Sequence, residues 1–337
     1  MSQKNRQFVL DQIPKGKLGK EHFRLTETAI PSPGEGEVLL RVRYVSLDAA
    51  NRAWMLGPTY RAALKAGDVM AGGALAEVLE SRSSALKPKD WVFGDTGWRE
   101  YAVVPATAVM KVMPREPPSH AVSVYGIAGL TAYFGLLECG RPKSGETVVV
   151  SAAAGSVGSI VGQIARIKGC RVVGMAGGAK KCALLTSQLG FDAAVDYKRF
   201  AGNPMEFYQA LQAACGGGID VYFDNVGGET LDACLFGMKE HGRIAACGAV
   251  SRYDGAPPYG VQGTPMIVSK RITVRGFIVT DFFGQAAQAL SDLEGWVRSG
   301  QLKVLEDIVE GFENLPAALI GLLAGDNIGK RMVKVSK

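Results

Sequence analysis

Sequence features of metal sites and membrane spans are scarce in this chain. Its 337 residues include only three histidines, which stand far apart at positions 22, 120 and 241. The six cysteines stand at positions 139, 170, 182, 215, 234 and 247. They form no Cys-x-x-Cys pair, no histidine is close enough in sequence to complete a metal site, and no apolar run reaches the roughly 18 residues of a transmembrane helix. We therefore expect no metal, no membrane span and six structural thiols.

Clustered charge and a targeting segment are also missing. Residues 1–20 alternate charged and apolar side chains and lack the apolar stretch of a signal peptide. The 38 basic and 32 acidic residues are interleaved, so the net charge of +6 forms no block of like charges. This argues against a nucleic-acid partner, whereas a small phosphorylated ligand is compatible with a modest positive excess. We expect a reduced, cytoplasmic protein.

Glycine is abundant, at 43 residues or about 13% of the chain against a usual ~7%, which indicates many tight turns and close backbone contacts. The chain is also longer than the roughly 250 to 300 residues at which a single core stops growing, so we expect two domains. In the first third, short strand-like runs are separated by Gly, Pro and Asp turns, which suggests a small barrel-like domain. These runs cover residues 37–47, 73–81, 90–93 and 100–104.

The pattern changes near Tyr125, where apolar strand-like runs begin to alternate with helical segments. The runs cover residues 147–151, 171–175, 193–195, 219–224, 243–247 and 272–278, with helices at 157–167 and 180–188. Such alternation predicts a parallel sheet with helices on both faces. The last stretch returns to strands at 303–309 and 331–335, around a short helix beginning near Leu315.

The strongest motif joins a strand to a helix. The run Thr147-Val-Val-Val-Ser turns through Ala153-x-Gly155-x-x-Gly158 and continues with apolar residues at helical spacing. This is the context of a dinucleotide fingerprint: Gly155 lets the backbone approach a pyrophosphate, Gly158 lets the helix lie close to the strand, and the helix N-terminus attracts phosphate. Ala153 replaces the usual first glycine, which requires a slightly different turn. The alternative is a plain tight turn in an α/β sheet.

The end of the second strand indicates which dinucleotide binds. NAD sites carry an acidic residue there for the ribose 2′-hydroxyl, but this chain has Met175-Ala-Gly-Gly-Ala-Lys-Lys. Lys180 and Lys181 would attract a 2′-phosphate, so the sequence favours NADP(H). The alternative, that both lysines merely solvate a helix N-terminus, is disfavoured because cations there oppose the helix dipole.

Several runs resemble one known family. They include Ala-Ala-Ala-Gly-Ser-Val-Gly (152–158), Tyr-Phe-Asp-Asn-Val-Gly-Gly (222–228), Cys-Gly-Ala-Val-Ser-Arg-Tyr (247–253) and Asn-Ile-Gly-Lys (327–330). They are similar to the zinc-independent medium-chain dehydrogenase/reductases, within these the prostaglandin reductase, or leukotriene 12-hydroxydehydrogenase-like, branch of NADPH-dependent alkenal/alkenone double-bond reductases. The Gly-His-Glu run and four clustered cysteines of zinc-dependent relatives are absent.

The resemblance implies an α/β protein with a GroES-like β-barrel catalytic domain and a Rossmann domain with a doubly wound parallel sheet. We expect the first to cover residues 1–125 and 301–337 and the second residues 126–300. A homodimer is also implied, through strands such as 272–278. Of the two lysines, the family pattern selects Lys181. The implied NADP(H) contacts are Gly155, Ser156, Val157, Gly158, Lys181, Tyr197, Asn225, Cys247, Gly248, Tyr253, Phe277, Ile278, Val279 and Asn327.

The implied activity is NADPH-dependent reduction of the carbon-carbon double bond of an α,β-unsaturated ketone or aldehyde. Hydride added to the β-carbon builds negative charge on the carbonyl oxygen, and a positioned hydroxyl can stabilise it. The related reductases place a tyrosine beside the nicotinamide at the position matching Tyr259, which is therefore the candidate catalytic donor. Tyr253 is the second choice, and Tyr259 as a simple loop anchor is the alternative.

The segment 44–55 resembles the stretch that lines the substrate pocket in these reductases, and Tyr60 follows it closely. Pocket candidates are Tyr44, Asn51, Trp54 and Tyr60, although aromatic residues in such places are often core. Arg52 is expected to face substrate or to pair with Asp48. Two other functions stay open: an NADPH quinone reductase of the same superfamily, and an NADPH-binding protein without turnover. The sequence leaves the physiological substrate unidentified.

Overall fold

The computed structural model describes residues 4–113, 115–255, 257 and 259–335, and it divides into two compact units. Unit 1 comprises Met1–Val122, Tyr253–Gly255 and Glu306–Lys337, and unit 2 comprises Ser123–Arg252 and Ala256–Leu305. The expected domain limits, 125/126 and 300/301, stay a prediction about independently folding domains. They did not include the three-residue segment 253–255 in the first unit.

Unit 1 begins with strands and one short helix. In chain order these are β1 (Lys4–Leu10), β2 (Phe23–Ala29), β3 (Glu37–Ser46), helix α1 (Ala50–Ala53), β4 (Gly73–Ser81), β5 (Trp91–Asp95), β6 (Tyr101–Pro105) and β7 (Val109–Val112). The four strands predicted here from the sequence are confirmed as β3 to β6. Strands β1, β2 and β7 were not predicted; β1 and β2 pair with each other as an antiparallel ribbon.

Unit 2 alternates strands and helices. They are α2 (Ile127–Phe134), β8 (Thr147–Val150), α3 (Gly158–Ile167), β9 (Arg171–Ala176), α4 (Ala179–Ser187), β10 (Ala193–Asp196), α5 (Pro204–Cys215), β11 (Ile219–Asp224), α6 (Gly228–Gly237), β12 (Met238–Ala246), α7 (Thr264–Ser269), β13 (Thr273–Gly276) and α8 (Ala286–Arg298). A π-helical turn, Gly135–Gly140, continues α2.

The chain then returns to unit 1 with β14 (Glu306–Glu310), α9 (Leu315–Leu323) and β15 (Lys330–Lys334). In the described part of this unit the strand order is β14-β15-β3-β4-β5-β7, with β6 also paired to β3. Strand β3 buries every second residue early in its length, as Val38, Leu40 and Val42 show. The alternating pattern that predicted this strand is therefore the pattern that fills the core of unit 1.

The unit 2 sheet has the order β10-β9-β8-β11-β12-β13, and its strand pairs are parallel. The chain moves outward from β8 to β10 and then crosses to β11 on the other side of β8, which is the doubly wound arrangement. Val148 and Val150 face a core formed with α2, α3 and α8, whereas Val149 faces a second core formed with α5 and α6. The predicted parallel sheet covered on both faces is confirmed.

Helix α3 lies very close to its neighbours because Gly162 has no side chain. A Cβ built at Gly162 would overlap the Phe191 ring, and Phe191 is 3% exposed. Gly295, in the exposed interior of α8, has no atom within 4 Å of a built Cβ, so it offers a matched comparison.

We expect Gly162→Ala to lower the free energy of unfolding by about 1 to 3 kcal/mol, because the added methyl overpacks the core. Gly295→Ala should raise the free energy of unfolding by up to about 1 kcal/mol, because alanine favours an unobstructed helix. Urea unfolding of both variants checks the pair. An equal shift in the same direction would show that the contact with Phe191 does not set the position of α3.

Candidate active site

The candidate cofactor residues of unit 2 come from six separate segments, each following a different strand of the parallel sheet. They are Gly155–Gly158 after β8, Lys181 after β9, Tyr197 after β10, Asn225 after β11, Cys247 and Gly248 after β12, and Phe277, Ile278 and Val279 after β13. Because parallel strands end at the same edge of a sheet, the fold brings all six segments to one edge. Tyr253 and Asn327 belong to unit 1.

The turn after β8 depends on tight backbone geometry. Ala152 has φ +48°, in the left-handed region that costs a side-chain-bearing residue about 1 kcal/mol or more. A Cβ at Gly158 would overlap the Ala152 carbonyl, so only glycine lets α3 begin this close to the strand. Ser156 Oγ lies in the same turn, is shielded from solvent, and has no hydrogen-bond partner among the described residues. A buried hydroxyl without a partner suits a turn that receives a polar ligand.

The end of β9 forms a basic corner. Gly178 has φ +96°, and its N–H donates to Asp196 Oδ1 at 2.8 Å. A Cβ at the preceding Gly177 would lie 3.0 Å from Tyr197 Oη and 2.8 Å from Lys198 Cε, so both side chains reach this turn. Lys181 is half-buried in the first turn of α4, whereas Lys180 is exposed. Lys198 was not predicted from the sequence, although it directly follows the predicted contact Tyr197.

Asp224 organises the crossover between β8 and β11. Its carboxylate is 3% exposed, and Oδ1 accepts hydrogen bonds from the Tyr222 hydroxyl at 2.7 Å and from the N–H groups of Val226 and Gly227 at 2.9 and 2.8 Å. Burial raises the pKa of Tyr222 well above its ordinary value. Asn225 Nδ2 in turn donates to the Ser151 carbonyl at 2.8 Å. These bonds fix Asn225 in place and use one of the two hydrogens of its amide nitrogen for Ser151.

The residues after β12 are held by backbone hydrogen bonds, and those after β13 by ring packing. The Asp224 carbonyl accepts from the N–H groups of Cys247 and Gly248 at 2.8 and 3.1 Å. Burial raises the pKa of the Cys247 thiol to about 12, so the thiol stays protonated and unreactive. The Phe277 ring packs edge-on against Phe223, with 6.2 Å between ring centroids. These segments thus present backbone and apolar surface at the sheet edge.

The Tyr259 hydroxyl is engaged in the structure. It donates to Asp232 Oδ2 at 2.7 Å, and the same carboxylate accepts from the N–H groups of Gln262 and Gly263 at 3.0 and 2.7 Å. The hydrogen bond to Asp232 raises the pKa of Tyr259 to about 12, which keeps the phenol protonated at neutral pH. The bonds tie the loop to α6, and the single hydroxyl hydrogen points at Asp232.

The four pocket candidates of unit 1 have three different settings. Asn51 is 1% exposed and binds the backbone through both ends of its amide, since Oδ1 accepts from Asp48 N–H at 2.7 Å and Nδ2 donates to the Ala71 carbonyl at 3.1 Å. Trp54 and Tyr60 meet, because the indole Nε1 donates to the Tyr60 hydroxyl at 3.2 Å. Tyr44 lies on β3, opposite Leu75 of β4 and Lys334 of β15.

The predicted pairing of Arg52 with Asp48 is wrong. Arg52 Nε lies 3.2 Å from Asp254 Oδ1, and Asp48 forms its ion pair with Lys330, whose Nζ also donates to the Leu47 carbonyl at 2.9 Å. Both cations are buried, and each has found a carboxylate distant in sequence. Asn327, just before this lysine in the chain, donates from Nδ2 to the Gly329 carbonyl at 2.8 Å.

All six cysteines and all three histidines lie in the described part of the chain, and the cysteines are unpaired. Over the same residues, no group of three or more His, Cys, Asp or Glu side chains is arranged to hold a metal ion. Burial raises the pKa of the Cys170 thiol to about 11 and that of Cys215 to about 12. Among the residues that the structure describes, no helix combines the length and apolar character needed to span a bilayer.

Comparison with known proteins identifies relatives over nearly the whole chain. Two family models match, one for the N-terminal domain of oxidoreductases over residues 6–112 and one for zinc-binding dehydrogenases over residues 156–294. The NADPH-dependent curcumin reductase of Escherichia coli (strain K12) is 41% identical, over 99% of this chain and 98% of its own length. Prostaglandin reductase 1 of Bos taurus is 43% identical over 93% of each chain. The NADP(+)-dependent 2-alkenal reductase of Nicotiana tabacum is 37% identical, over 99% of this chain and 98% of its own length.

Among solved structures, the complex of CurA from Vibrio vulnificus with NADPH superimposes with a TM-score of 0.92 and 39% identity. The match covers 98% of this chain and 99% of that one. The resemblance found in the sequence is therefore confirmed, and the chain belongs to the medium-chain dehydrogenase/reductase family, in the branch of the prostaglandin and alkenal reductases.

Proposed function

We propose that this protein uses NADPH to reduce the carbon-carbon double bond of α,β-unsaturated ketones or aldehydes. One observation carries the proposal: the glycine turn after β8 and the basic corner after β9 meet at the carboxyl edge of one doubly wound sheet. Relatives that share 37 to 43% identity over most of the chain are named NADPH-dependent curcumin reductase, prostaglandin reductase 1 and NADP(+)-dependent 2-alkenal reductase. The residues at the sheet edge support binding of the coenzyme, and the relatives support the reaction.

The residues of this edge fit the coenzyme. Gly155 to Gly158 would hold the pyrophosphate at the start of α3, where Ser156 Oγ lacks a partner within the described chain. Lys181 and Tyr197, joined by Lys198, would hold the 2′-phosphate. The unit 2 part of the proposed site is completed by Asn225, Cys247, Gly248, Phe277, Ile278 and Val279. Tyr253 and Asn327, which belong to unit 1, are further coenzyme contacts that the family resemblance implies. When bound, NADPH supplies the hydride.

The protein's own task is to stabilise negative charge on the substrate oxygen. We assign this to Tyr259, because a phenol with the ordinary tyrosine pKa of about 10 is a neutral hydrogen donor at neutral pH. Because a hydroxyl has a single hydrogen, Tyr259 must leave Asp232 before it can donate to the substrate. Trp54 and Tyr60 offer an aromatic surface for the rest of the substrate, with Tyr44 and Asn51 as weaker assignments.

We extend the proposal to the fold and the cellular setting. Unit 1 is proposed to be a GroES-like barrel. It is also proposed to work without zinc, and the scarcity of histidine and the scattered cysteines support this second point. Six unpaired thiols suit the reducing cytoplasm. A homodimer is proposed through β13, because this strand is exposed along its length and pairs with β12 on one side.

Measuring NADPH oxidation with an enone, an enal and a simple quinone tests the activity itself. We expect turnover with the enone and enal, and a product whose mass and spectrum show the carbon-carbon bond reduced and the carbonyl intact. Turnover with the quinone alone would assign the protein to quinone reduction. Coenzyme binding without oxidation of NADPH by any of the three would contradict an enzymatic role.

Lys181→Ala should weaken NADPH binding by about 1.5 to 3 kcal/mol and leave NADH binding nearly unchanged, because a charged hydrogen bond to the 2′-phosphate is lost. Isothermal titration with each coenzyme measures both affinities. Lys180→Ala is the matched control, since the neighbouring lysine is exposed and should contribute less. Equal losses for NADPH and NADH in Lys181→Ala would remove the 2′-phosphate assignment.

Tyr259→Phe should lower kcat with an enone by about 10²-fold or more, with the NADPH affinity retained, because it removes one hydrogen-bond donor to the developing charge. Asp232→Asn separates this role from loop anchoring. If Tyr259 only ties the loop to α6, Asp232→Asn should lower kcat at least as much as Tyr259→Phe, because it also disturbs the bonds from the N–H groups of Gln262 and Gly263. If it donates to substrate, Asp232→Asn should retain more activity than Tyr259→Phe, and a kcat for Tyr259→Phe equal to wild type would reassign the donor.

A further inference from the structure

The segment Tyr253–Gly255 belongs to unit 1, whereas the residues on either side of it belong to unit 2. Asp254 anchors the segment, because its Oδ1 accepts from Leu18 N–H at 2.8 Å and from Arg52 Nε at 3.2 Å. Gly255, with φ +75°, lies directly on the backbone of residues 16 and 17. A Cβ there would come within 2.9 Å of Gly16 C. The segment is thus held by one carboxylate and one close backbone contact.

Arg52 makes this anchor unusual, because its side chain is completely buried. Nη2 donates to the Gly16 carbonyl at 2.7 Å and to the Pro14 carbonyl at 3.4 Å, and Nη1 has no partner in the described chain. A buried guanidinium needs a negative partner, and Asp254 supplies it. One arginine therefore joins the loop at residues 14–18 to the segment 253–255.

The segment also carries Tyr253, which directly precedes Asp254 in the chain and which the family resemblance makes a coenzyme contact. Because Asp254 is held by Leu18 N–H and Arg52 Nε, the backbone that carries Tyr253 is held with it.

We propose that Arg52 and Asp254 are positioning residues, whose ion pair orders the segment 253–255 before the coenzyme binds and so presents Tyr253 as a coenzyme contact. This rests on the proposed function. Ordering a loop costs conformational entropy, and a coenzyme that finds it already ordered avoids that cost. If the competent conformation is only fractionally populated, the apparent Kd rises by the reciprocal of that fraction.

Asp254→Asn tests the idea with little change in shape, because it removes the charge and leaves an oxygen for Leu18 N–H. We expect the Kd for NADPH, followed by fluorescence titration, to rise about 10-fold, and kcat at saturating NADPH to stay within about 2-fold of wild type. Hydrogen–deuterium exchange of the peptide spanning residues 250–257 should become faster. Asp254→Glu, which keeps the charge, should recover part of the affinity.

Arg52→Met is the second variant. It removes the buried cation, which is the partner of the Asp254 carboxylate, and so leaves no unpaired charge buried. If the two residues act through one bond, combining Arg52→Met with Asp254→Asn should give a Kd for NADPH no higher than the higher Kd of the two single variants. Asp307→Asn is the matched control. Its ion pair with Arg331 also lies in unit 1, and Asp307 is 26% exposed against 25% for Asp254.

Unchanged affinity and exchange in Asp254→Asn would overturn the proposal. Equal losses of affinity in Asp254→Asn and Asp307→Asn would do the same, because they would show general destabilisation of unit 1. If wild-type protein bound no NADPH, the proposed function would fail separately. Faster exchange at 250–257 in Asp254→Asn and Arg52→Met, without it in Asp307→Asn, would still support the ordering of the segment.

Discussion

At the crossover between β8 and β11, a buried aspartate and the asparagine that follows it hold three turns in place. The Asp224 carboxylate caps the turn that begins α6, and its carbonyl accepts from the two residues that follow β12. Asn225, next to it, binds the turn after β8 through Ser151. A doubly wound sheet opens a crevice at this point because the helices on either side diverge, and these bonds set the positions of the backbone around that crevice. The glycine turn and the segments after β11 and β12 all depend on it.

Local chemistry explains why much of the fold could be predicted from the sequence. The strand-turn-helix from Thr147 to Ile167 needs only a β-branched run, glycines where backbones approach, and helical spacing, and all three are adjacent in the chain. Strand β14 shows the limit. The sequence predicted a strand from 303, but it begins at Glu306, because both backbone groups of Lys303 bind the Gln163 side chain at 2.7 and 3.0 Å. A glutamine 140 residues away replaces the neighbouring strand.

The ion pairs of Arg52 and Asp48 were harder to predict, because their partners are also distant in sequence. Arg52 and Asp48 are four residues apart, a spacing that favours pairing along a helix, but α1 is a single turn and both side chains are committed elsewhere. Asp254 and Lys330, the partners they choose, lie 202 and 282 residues away. Burial decides this outcome, since a buried cation must find a carboxylate wherever the fold supplies one. Sequence spacing carries no information about that choice.

Tyr259 is a predicted catalytic group that the structure holds in a hydrogen bond, so its catalytic role depends on how easily that bond is released. Its partner, Asp232, also accepts hydrogen bonds from two backbone N–H groups, so the carboxylate keeps charge-stabilising contacts when the phenol departs. Releasing Tyr259 therefore gives up one hydrogen bond without leaving a bare buried charge, a cost of about 1.5 to 3 kcal/mol before any new bond is counted. A developing enolate offers the phenol an acceptor of the same charge. Anchoring the loop and donating to substrate can thus be successive states of one hydroxyl.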